Sequence, residues 1–183
     1  MPPAEAASVP RYSGIAMALH WLVALIVIGL LCVGLWMVGL EISRQKLVVY
    51  GWHKWFGLLV LTLVILRLAW RLTHRPPPLP SGLAPWEYRL APIAHWGLYL
   101  LLLAMPISGW LMNSAAGQTV VWFGLLELPT WIDRDPDLLE LFRGIHHWLS
   151  RGLIALVLLH VAAVVRHDVL RRDGILRRML PGA

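Results

Sequence analysis

Residues 145–165, IHHWLSRGLIALVLLHVAAVV, are long and apolar enough to cross a bilayer, yet they carry His146 near one end and His160 near the other. A spanning helix needs about 20 mostly apolar residues, and an ionisable side chain inside one is costly enough to indicate function. The two histidines are 14 residues apart, which on an α-helix separates them by about 40° around the axis and roughly 21 Å along it. This helix therefore presents an imidazole near each membrane surface.

Composition places the whole chain in a membrane. Of its 183 residues, 58% are hydrophobic and 14% charged, and the mean hydropathy is +0.67, values far from those of a soluble domain. The first apolar segment has no small-residue cleavage site after it, so we expect it to be retained rather than removed as a signal peptide. We predict one all-α domain, 1–183, an integral membrane four-helix bundle with spans at about 15–40, 50–72, 90–112 and 145–165.

The basic residues indicate the orientation of the bundle. Arginine is concentrated in the N-terminal tail, the connection between the second and third helices and the C-terminal tail, which the positive-inside rule assigns to the cytoplasm together with both termini. A pI of about 10.2 is compatible with nucleic-acid binding, but these arginines flank apolar helices and form no separate basic domain. Membrane lipids and cofactor carboxylates are the expected partners, and no nucleic acid is expected.

The connections and the single cysteine add further expectations. Residues 75–85, RPPPLPSGLAP, are too rich in proline for a helix and predict an extended link. Residues 113–144 begin apolar and tryptophan-rich and then turn acidic, which predicts a short interfacial helix or a ledge on the periplasmic face. The one cysteine, Cys32, is expected as buried filler, and it excludes an internal disulfide and the C-x-x-C-H attachment of a c-type haem.

Two more histidines complete two pairs. His20 lies about one turn into the first helix, level with His160, and His53 lies near the outer start of the second helix, level with His146. Centrally placed carboxylates are lacking in the spans, so histidine is the available intramembrane ligand. A bis-histidine pair holds a six-coordinate b-type haem, which transfers electrons without an open position for substrate. We therefore predict two haems, one at the cytoplasmic side and one at the periplasmic side.

Three other residues fall where such haems need them. Gly34 is 14 residues after His20 and Gly57 is one turn after His53, so both are predicted on ligand faces where a macrocycle approaches the backbone. Arg67 is 14 residues after His53 and could pair with a propionate of the inner haem. Helix packing for the two glycines and snorkelling to lipid phosphate for Arg67 are the alternatives.

The remaining histidines are rivals to the four predicted ligands. His95, near the cytoplasmic start of the third helix, could be a ligand, a quinone contact or a hydrogen-bonded interior residue. His167 lies at the polar boundary, where solvent or propionate contact is expected. His147 is about 100° from His146 and should face elsewhere, while His74 lies in the polar link.

The order and spacing of these motifs resemble the bacterial cytochrome b561 family, small four-helix di-haem cytochromes linked to quinones. The resemblance extends over about residues 12–181. The residues that carry it are His20-Trp21, GWHKWFG around His53, RLAWR at the end of the second helix, AHWGLYLLLLAMPISGWLM in the third, IHHW to LLH in the fourth, and the terminal RRMLP. In that family the ligands match His20, His53, His146 and His160.

The resemblance also implies an activity and a place. Family members of this length act as superoxide oxidases of the bacterial inner membrane, which take electrons from superoxide at the periplasmic face and reduce ubiquinone. A cationic funnel would raise the encounter rate of a small anion, and its candidates here are Arg44, Lys46 and Lys54, with Arg143 as a further one. Two features oppose anion capture: acidic residues at 133–140, and His147, where similar proteins often have lysine.

Two alternatives stay open. The chain could be a cytochrome subunit that links a periplasmic redox partner, a hydrogenase or dehydrogenase, to the quinone pool, with the acidic ledge as docking surface. It could also be a haem carrier or sensor without a redox partner. A quinone headgroup needs hydrogen-bond partners beside an apolar cleft, and the sequence offers several compatible side chains without choosing among them: His95, Trp86, Arg89 and Ser108.

Overall fold

A computed structural model describes residues 11–80 and 82–182; the rest of the predicted single domain, residues 1–10, 81 and 183, lies outside the described residues. Four long helices account for most of it, and each is long and apolar enough to cross a membrane. The predicted four-helix membrane bundle is confirmed. The helices are α1 (Gly14–Met37), α2 (Arg44–Thr73), α3 (Pro85–Ala115) and α4 (Pro136–Val165).

Three helices begin earlier than the apolar segments predict, because polar caps or prolines at the first helical position extend them beyond the lipid-facing part. The Ser43 side chain accepts a hydrogen bond from the backbone of Lys46, so α2 begins at 44 rather than 50. Proline at the first position starts α3 at 85 and α4 at 136 instead of 90 and 145. Asp135 caps α4 by accepting from two backbone N–H groups at 2.9 and 3.0 Å.

Neighbouring helices in the chain pack against each other, α1 on α2, α2 on α3 and α3 on α4. The buried centre is small, and most other apolar side chains of the spans face outward, as lipid-exposed residues do. Cys32 is among the exposed residues, so the expectation that it is buried was wrong. The core consists of Val23, Val27, Val60, Val64, Tyr99 and Leu153.

The connection between α3 and α4 contains a short antiparallel β-hairpin, β1 (Val121–Trp122) and β2 (Leu126–Glu127), where the sequence predicted a short interfacial helix or a ledge. Its turn places Phe123 and Gly124 at φ 49° and 73°, conformations that a helix cannot accommodate. The hairpin is anchored on α2 by two indoles: Trp55 donates to the carbonyl of Val121, and Trp122 donates to the carbonyl of Trp55. We call this end of the bundle the hairpin end.

At the opposite end, the termini end, the two ends of the described chain meet. The backbone N–H of Tyr12 donates to the carbonyl of Arg178 at 3.2 Å, and the Trp21 indole donates to the carbonyl of Met179 at 2.7 Å. After α4 the chain continues as a π-helical turn, Arg166–Arg171, and a 3-10 turn, Leu176–Met179. The two ends of the described chain, near Tyr12 and Met179, therefore lie at the same end of the bundle.

Candidate functional site

Three histidines from three helices meet near the termini end. The ring centroid of His160 on α4 lies 6.3 Å from that of His20 on α1 and 5.7 Å from that of His95 on α3. His20 and His160 are the two side chains that helix geometry predicts as a pair. His95 is the third member of the cluster, which the sequence left among several possibilities.

Two arginines of α2 lie beside this cluster. Arg67 is an electrostatic neighbour of all three imidazoles, and its guanidinium lies 5.7 Å from the ring centroid of the buried Tyr99. Arg71, one turn further along α2, lies 5.8 Å from the same ring and 5.8 Å from that of Trp96. Neither arginine has a carboxylate partner within residues 11–80 and 82–182. A pair of cations held on aromatic faces can receive an anionic group.

A second pair, His53 and His146, lies toward the hairpin end, with each imidazole electrostatically close to the other. Both rings rest against glycine. A Cβ on Gly34 of α1 would come within 3.2 Å of Cε1 of His53, and one on Gly109 of α3 would come within 3.3 Å of Cε1 of His146. Gly34 therefore provides space for the His53 ring. A Cβ on Gly57 would meet no atom within 4 Å.

The ring nitrogens suit a haem better than a bare ion. The Nδ1 atoms of His20 and His53 are buried and have no hydrogen-bond partner among the described residues, although a buried unpaired polar atom costs about 1–3 kcal/mol. The described chain contains no group of three or more His, Cys, Asp or Glu side chains able to hold a metal ion. The His53–His146 pair, and the His20–His160 pair within the three-histidine cluster, each match a metal whose other four ligands come from a macrocycle.

The cations predicted to attract an anion differ in their exposure and in the partners that their charged groups already have. Lys54 follows His53 directly and its Nζ is 3.2 Å from Oε1 of Gln118. Lys46 donates to the carbonyl of Leu40 at 2.7 Å. Arg44, at the start of α2, is exposed. Arg143 forms an exposed ion pair with Glu140, which offsets its charge.

Of two further histidines, His167 differs from expectation and His147 does not. His167 was expected to meet solvent or a propionate, but it is 8% exposed. Its Nδ1 lies 2.5 Å from Oδ2 of Asp173, and its Nε2 lies 3.8 Å from Oε1 of Glu87. These contacts join the start of α3 to the segment after α4 at the termini end. His147 is exposed and faces away from the pairs, as predicted.

The four quinone-compatible residues do not form one group. Ser108 lies with His146 near the hairpin end, 2.9 Å from its Nδ1. His95 belongs to the cluster near the termini end, where the Trp86 ring lies 5.5 Å from the guanidinium carbon of Arg166. Arg89 is exposed.

Sequence reasoning missed two features of the sites. Arg71 is one turn after Arg67 in α2, a spacing that puts both on one helix face. The sequence alone could therefore have predicted that Arg71 lies beside Arg67. The contact of Ser108 and Gly109 with His146 was not available, because it depends on how α3 is rotated toward α4.

Comparison with known proteins identifies the family. The sequence profile of the prokaryotic cytochrome b561 family matches residues 11–182. Cytochrome b561 homolog 2 of Escherichia coli K12 is 34% identical over 178 residues, which cover 93% of this chain and 91% of the relative. The probable superoxide oxidase CybB of Yersinia pestis is 28% identical over 178 residues, 93% of this chain and 96% of the relative. Cytochrome b561 homolog 1 of E. coli K12 is 25% identical over 179 residues, with coverage of 93% and 97%.

The matched range of the family profile, residues 11–182, covers all four helices and the positions of the four paired histidines. The family is one of membrane proteins that use b-type haem, and the paired imidazoles suit that cofactor. With four helices able to span a bilayer and a profile match from residue 11 to 182, this chain belongs to the prokaryotic cytochrome b561 family, and it is a multi-pass, haem-containing membrane protein of electron transport.

Proposed function

We propose that this protein oxidises superoxide at the hairpin end and reduces ubiquinone, with two b-type haems as resident cofactors. Two superoxide anions each lose one electron and become two molecules of oxygen. One ubiquinone gains those two electrons and two protons and becomes ubiquinol. The family supports membrane electron transport, and the relative described as a probable superoxide oxidase supports this substrate.

The observation that carries the proposal is the presence of histidine pairs at two depths of the bundle. We propose that His20 and His160 would hold the haem at the termini end, and that His53 and His146 would hold the haem at the hairpin end. The two ligands on α4 are roughly 21 Å apart along its axis. When bound, bis-histidine haems supply one-electron transfer with no open position for a substrate. Superoxide would then need only to approach, not to bind iron.

Arg67 and Arg71 are proposed to hold the propionates of the haem at the termini end. Their guanidinium groups lie over the Tyr99 ring, which keeps them in place beside the His20–His160 pair. An arginine without a carboxylate partner in a lipid-embedded bundle is costly, and an anionic cofactor group would neutralise it.

Positive charge at the start of α2 is proposed to attract superoxide. Lys54 is next to His53 in the sequence and half-buried, with an uncharged partner, Gln118. Lys46 and Arg44 extend the positive charge toward the surface. Field lines focused into a site of low dielectric raise the local concentration of a small anion.

The orientation follows from the basic residues of the termini end. Arginine is abundant in the segments after α4 and also occurs at the end of α2, in the link and at the start of α3, so the positive-inside rule favours this end in the cytoplasm. The hairpin end would then face the periplasm and the protein would lie in the bacterial inner membrane. Superoxide would be oxidised on the periplasmic side.

The decisive experiment is stopped-flow mixing of the purified oxidised protein with superoxide, followed in the haem Soret band, with and without ubiquinone. We expect rapid haem reduction by superoxide, and reoxidation when ubiquinone is present. The reaction should be abolished by superoxide dismutase, which serves as the control for the electron donor.

Absence of haem reduction by superoxide would contradict the proposed substrate. If ubiquinol still reduced the haems and a second chain co-purified, the function would be that of a cytochrome subunit for a periplasmic hydrogenase or dehydrogenase. Loosely held haem with an open axial position would instead indicate a carrier or sensor.

A further inference from the structure

Ser108 on α3 contacts one of the proposed ligands directly. Its Oγ lies 2.9 Å from Nδ1 of His146, and Ser108 itself is only 4% exposed. Within residues 11–80 and 82–182, this is the only hydrogen bond from a side chain to any of the four proposed ligand rings. The Nδ1 atoms of His20 and His53 have no partner there, so His146 differs from the other ligands.

The direction of the hydrogen bond can be derived from its neighbours. The Ser108 hydroxyl also lies 2.8 Å from the carbonyl oxygen of Met105, and a carbonyl can only accept. A hydroxyl has a single proton, which is used toward Met105. With its proton directed at Met105, Oγ accepts from His146. The Met105 carbonyl is also a hydrogen-bond partner of His146, and since a carbonyl can only accept, both contacts favour the tautomer in which Nδ1 of His146 carries the proton. In the neutral ring, Nε2 then keeps its lone pair.

The same part of α3 also fixes the position of the ring. Gly109 follows Ser108, and a Cβ there would lie 3.3 Å from Cε1 and 3.5 Å from Nδ1 of His146. The Nδ1–Cε1 edge of the imidazole is thus held both by a hydrogen bond and by close packing against the backbone of Gly109. A ligand fixed in tautomer and orientation is what a metal site requires of its outer partners.

We propose that Ser108 is a positioning residue that holds His146 as the Nδ1–H tautomer, with Nε2 available to the iron of the haem at the hairpin end. This inference rests on the proposed ligand role of His146. A hydrogen bond donated by Nδ1–H makes the imidazole a stronger electron donor. The bond therefore favours ferric iron and lowers the reduction potential of that haem.

Ser108→Val and Ser108→Thr are a matched pair for the test. Valine and threonine have nearly the same shape, but only threonine keeps the hydroxyl, so steric effects are common to both. We expect Ser108→Thr to resemble the wild type. In Ser108→Val, a spectroscopic redox titration should show a higher potential for the haem at the hairpin end and an unchanged potential for the other haem. Haem affinity at that end should fall by about tenfold.

Three outcomes would overturn the inference. The first is that Ser108→Val has full haem content and an unchanged reduction potential of the haem at the hairpin end. The second is that the reduction potentials of both haems shift equally in both Ser108 variants. If Ser108→Val does not accumulate, Ser108→Ala removes the same hydroxyl without added bulk and is judged in the same way. The third outcome is full haem content in His146→Ala, which would also refute the proposed ligand. If His146→Ala loses one haem but the Ser108 variants keep the haem content and reduction potentials of the wild type, the positioning role alone is refuted.

Discussion

Oε1 of Glu87 lies 2.5 Å from Nη1 of Arg166, so the first turn of α3 is joined to the end of α4. The other oxygen of Glu87 accepts from Arg171 at 2.7 Å and from the backbone N–H of Ala84 at 2.7 Å. One carboxylate thus holds two arginines and caps a helix, at the same end of the bundle as the proposed haem site of His20 and His160.

We expect Glu87→Gln to destabilise the protein, because it leaves two arginines without their anion and weakens the cap of α3. Thermal unfolding in detergent should show a clearly lower Tm. Glu140→Gln is the matched control: its carboxylate also pairs with an arginine, Arg143, but is 67% exposed, and exposed pairs contribute little. Equal effects of the two substitutions would contradict a special role for Glu87.

Each histidine pair should support its own haem. His53→Ala or His146→Ala should remove the haem at the hairpin end while part of the other haem signal remains, and His20→Ala or His160→Ala should do the reverse. Haem content per polypeptide and redox titration measure this. Loss of both haems in all four variants, with the bundle still folded by circular dichroism, would refute the pairing.

The sequence was sufficient for the fold because the fold depends on apolar length. Four apolar segments predict four spans, and the 14-residue spacing of His146 and His160 predicts their level in α4. Helix ends were less predictable, since polar caps such as Ser43 and Asp135 continue a helix where hydropathy has already fallen. The hairpin was missed because its apolar, tryptophan-rich sequence also suits an interfacial helix.

The sequence predicts how far along its helix each site residue lies, but not which neighbouring helix its side chain contacts. Position along a helix predicts the depth in the membrane at which His20 or Arg67 lies. It does not specify which neighbour a side chain meets, because the rotation of one helix toward another is set by packing over its whole length. For this reason the contacts of His95 with His160, and of Ser108 with His146, became apparent only in the structure.

Two glycines of α1 provide a test of ring packing. Gly34→Ala should place a methyl group 3.2 Å from Cε1 of His53, which displaces the ring and lowers haem content at the hairpin end. Gly29→Ala is the control, because a Cβ there meets nothing within 4 Å, and it should keep full haem content. Similar haem loss in both variants would indicate general disturbance of α1 instead.

The attraction of superoxide should depend on Lys46 and Lys54. We expect the double variant Lys46→Gln, Lys54→Gln to lower the rate constant for haem reduction by superoxide by about tenfold and to weaken its dependence on ionic strength. Arg143→Gln should have a smaller effect, since the charge of Arg143 is already offset by Glu140. An unchanged rate and salt dependence in the double variant would remove these lysines from the proposed mechanism.

Arg67 should tune the haem at the termini end through its charge. A cation near the haem favours the reduced state, which carries one positive charge less, so Arg67→Gln should lower the reduction potential of that haem and leave the other unchanged. Arg67→Lys keeps the charge but loses the planar guanidinium that lies over Tyr99, and should give an intermediate value. Arg89→Gln is the control, because Arg89 is exposed. If Arg67→Gln and Arg89→Gln behave alike in a redox titration, the propionate contact is wrong and Arg67 serves lipid phosphate instead.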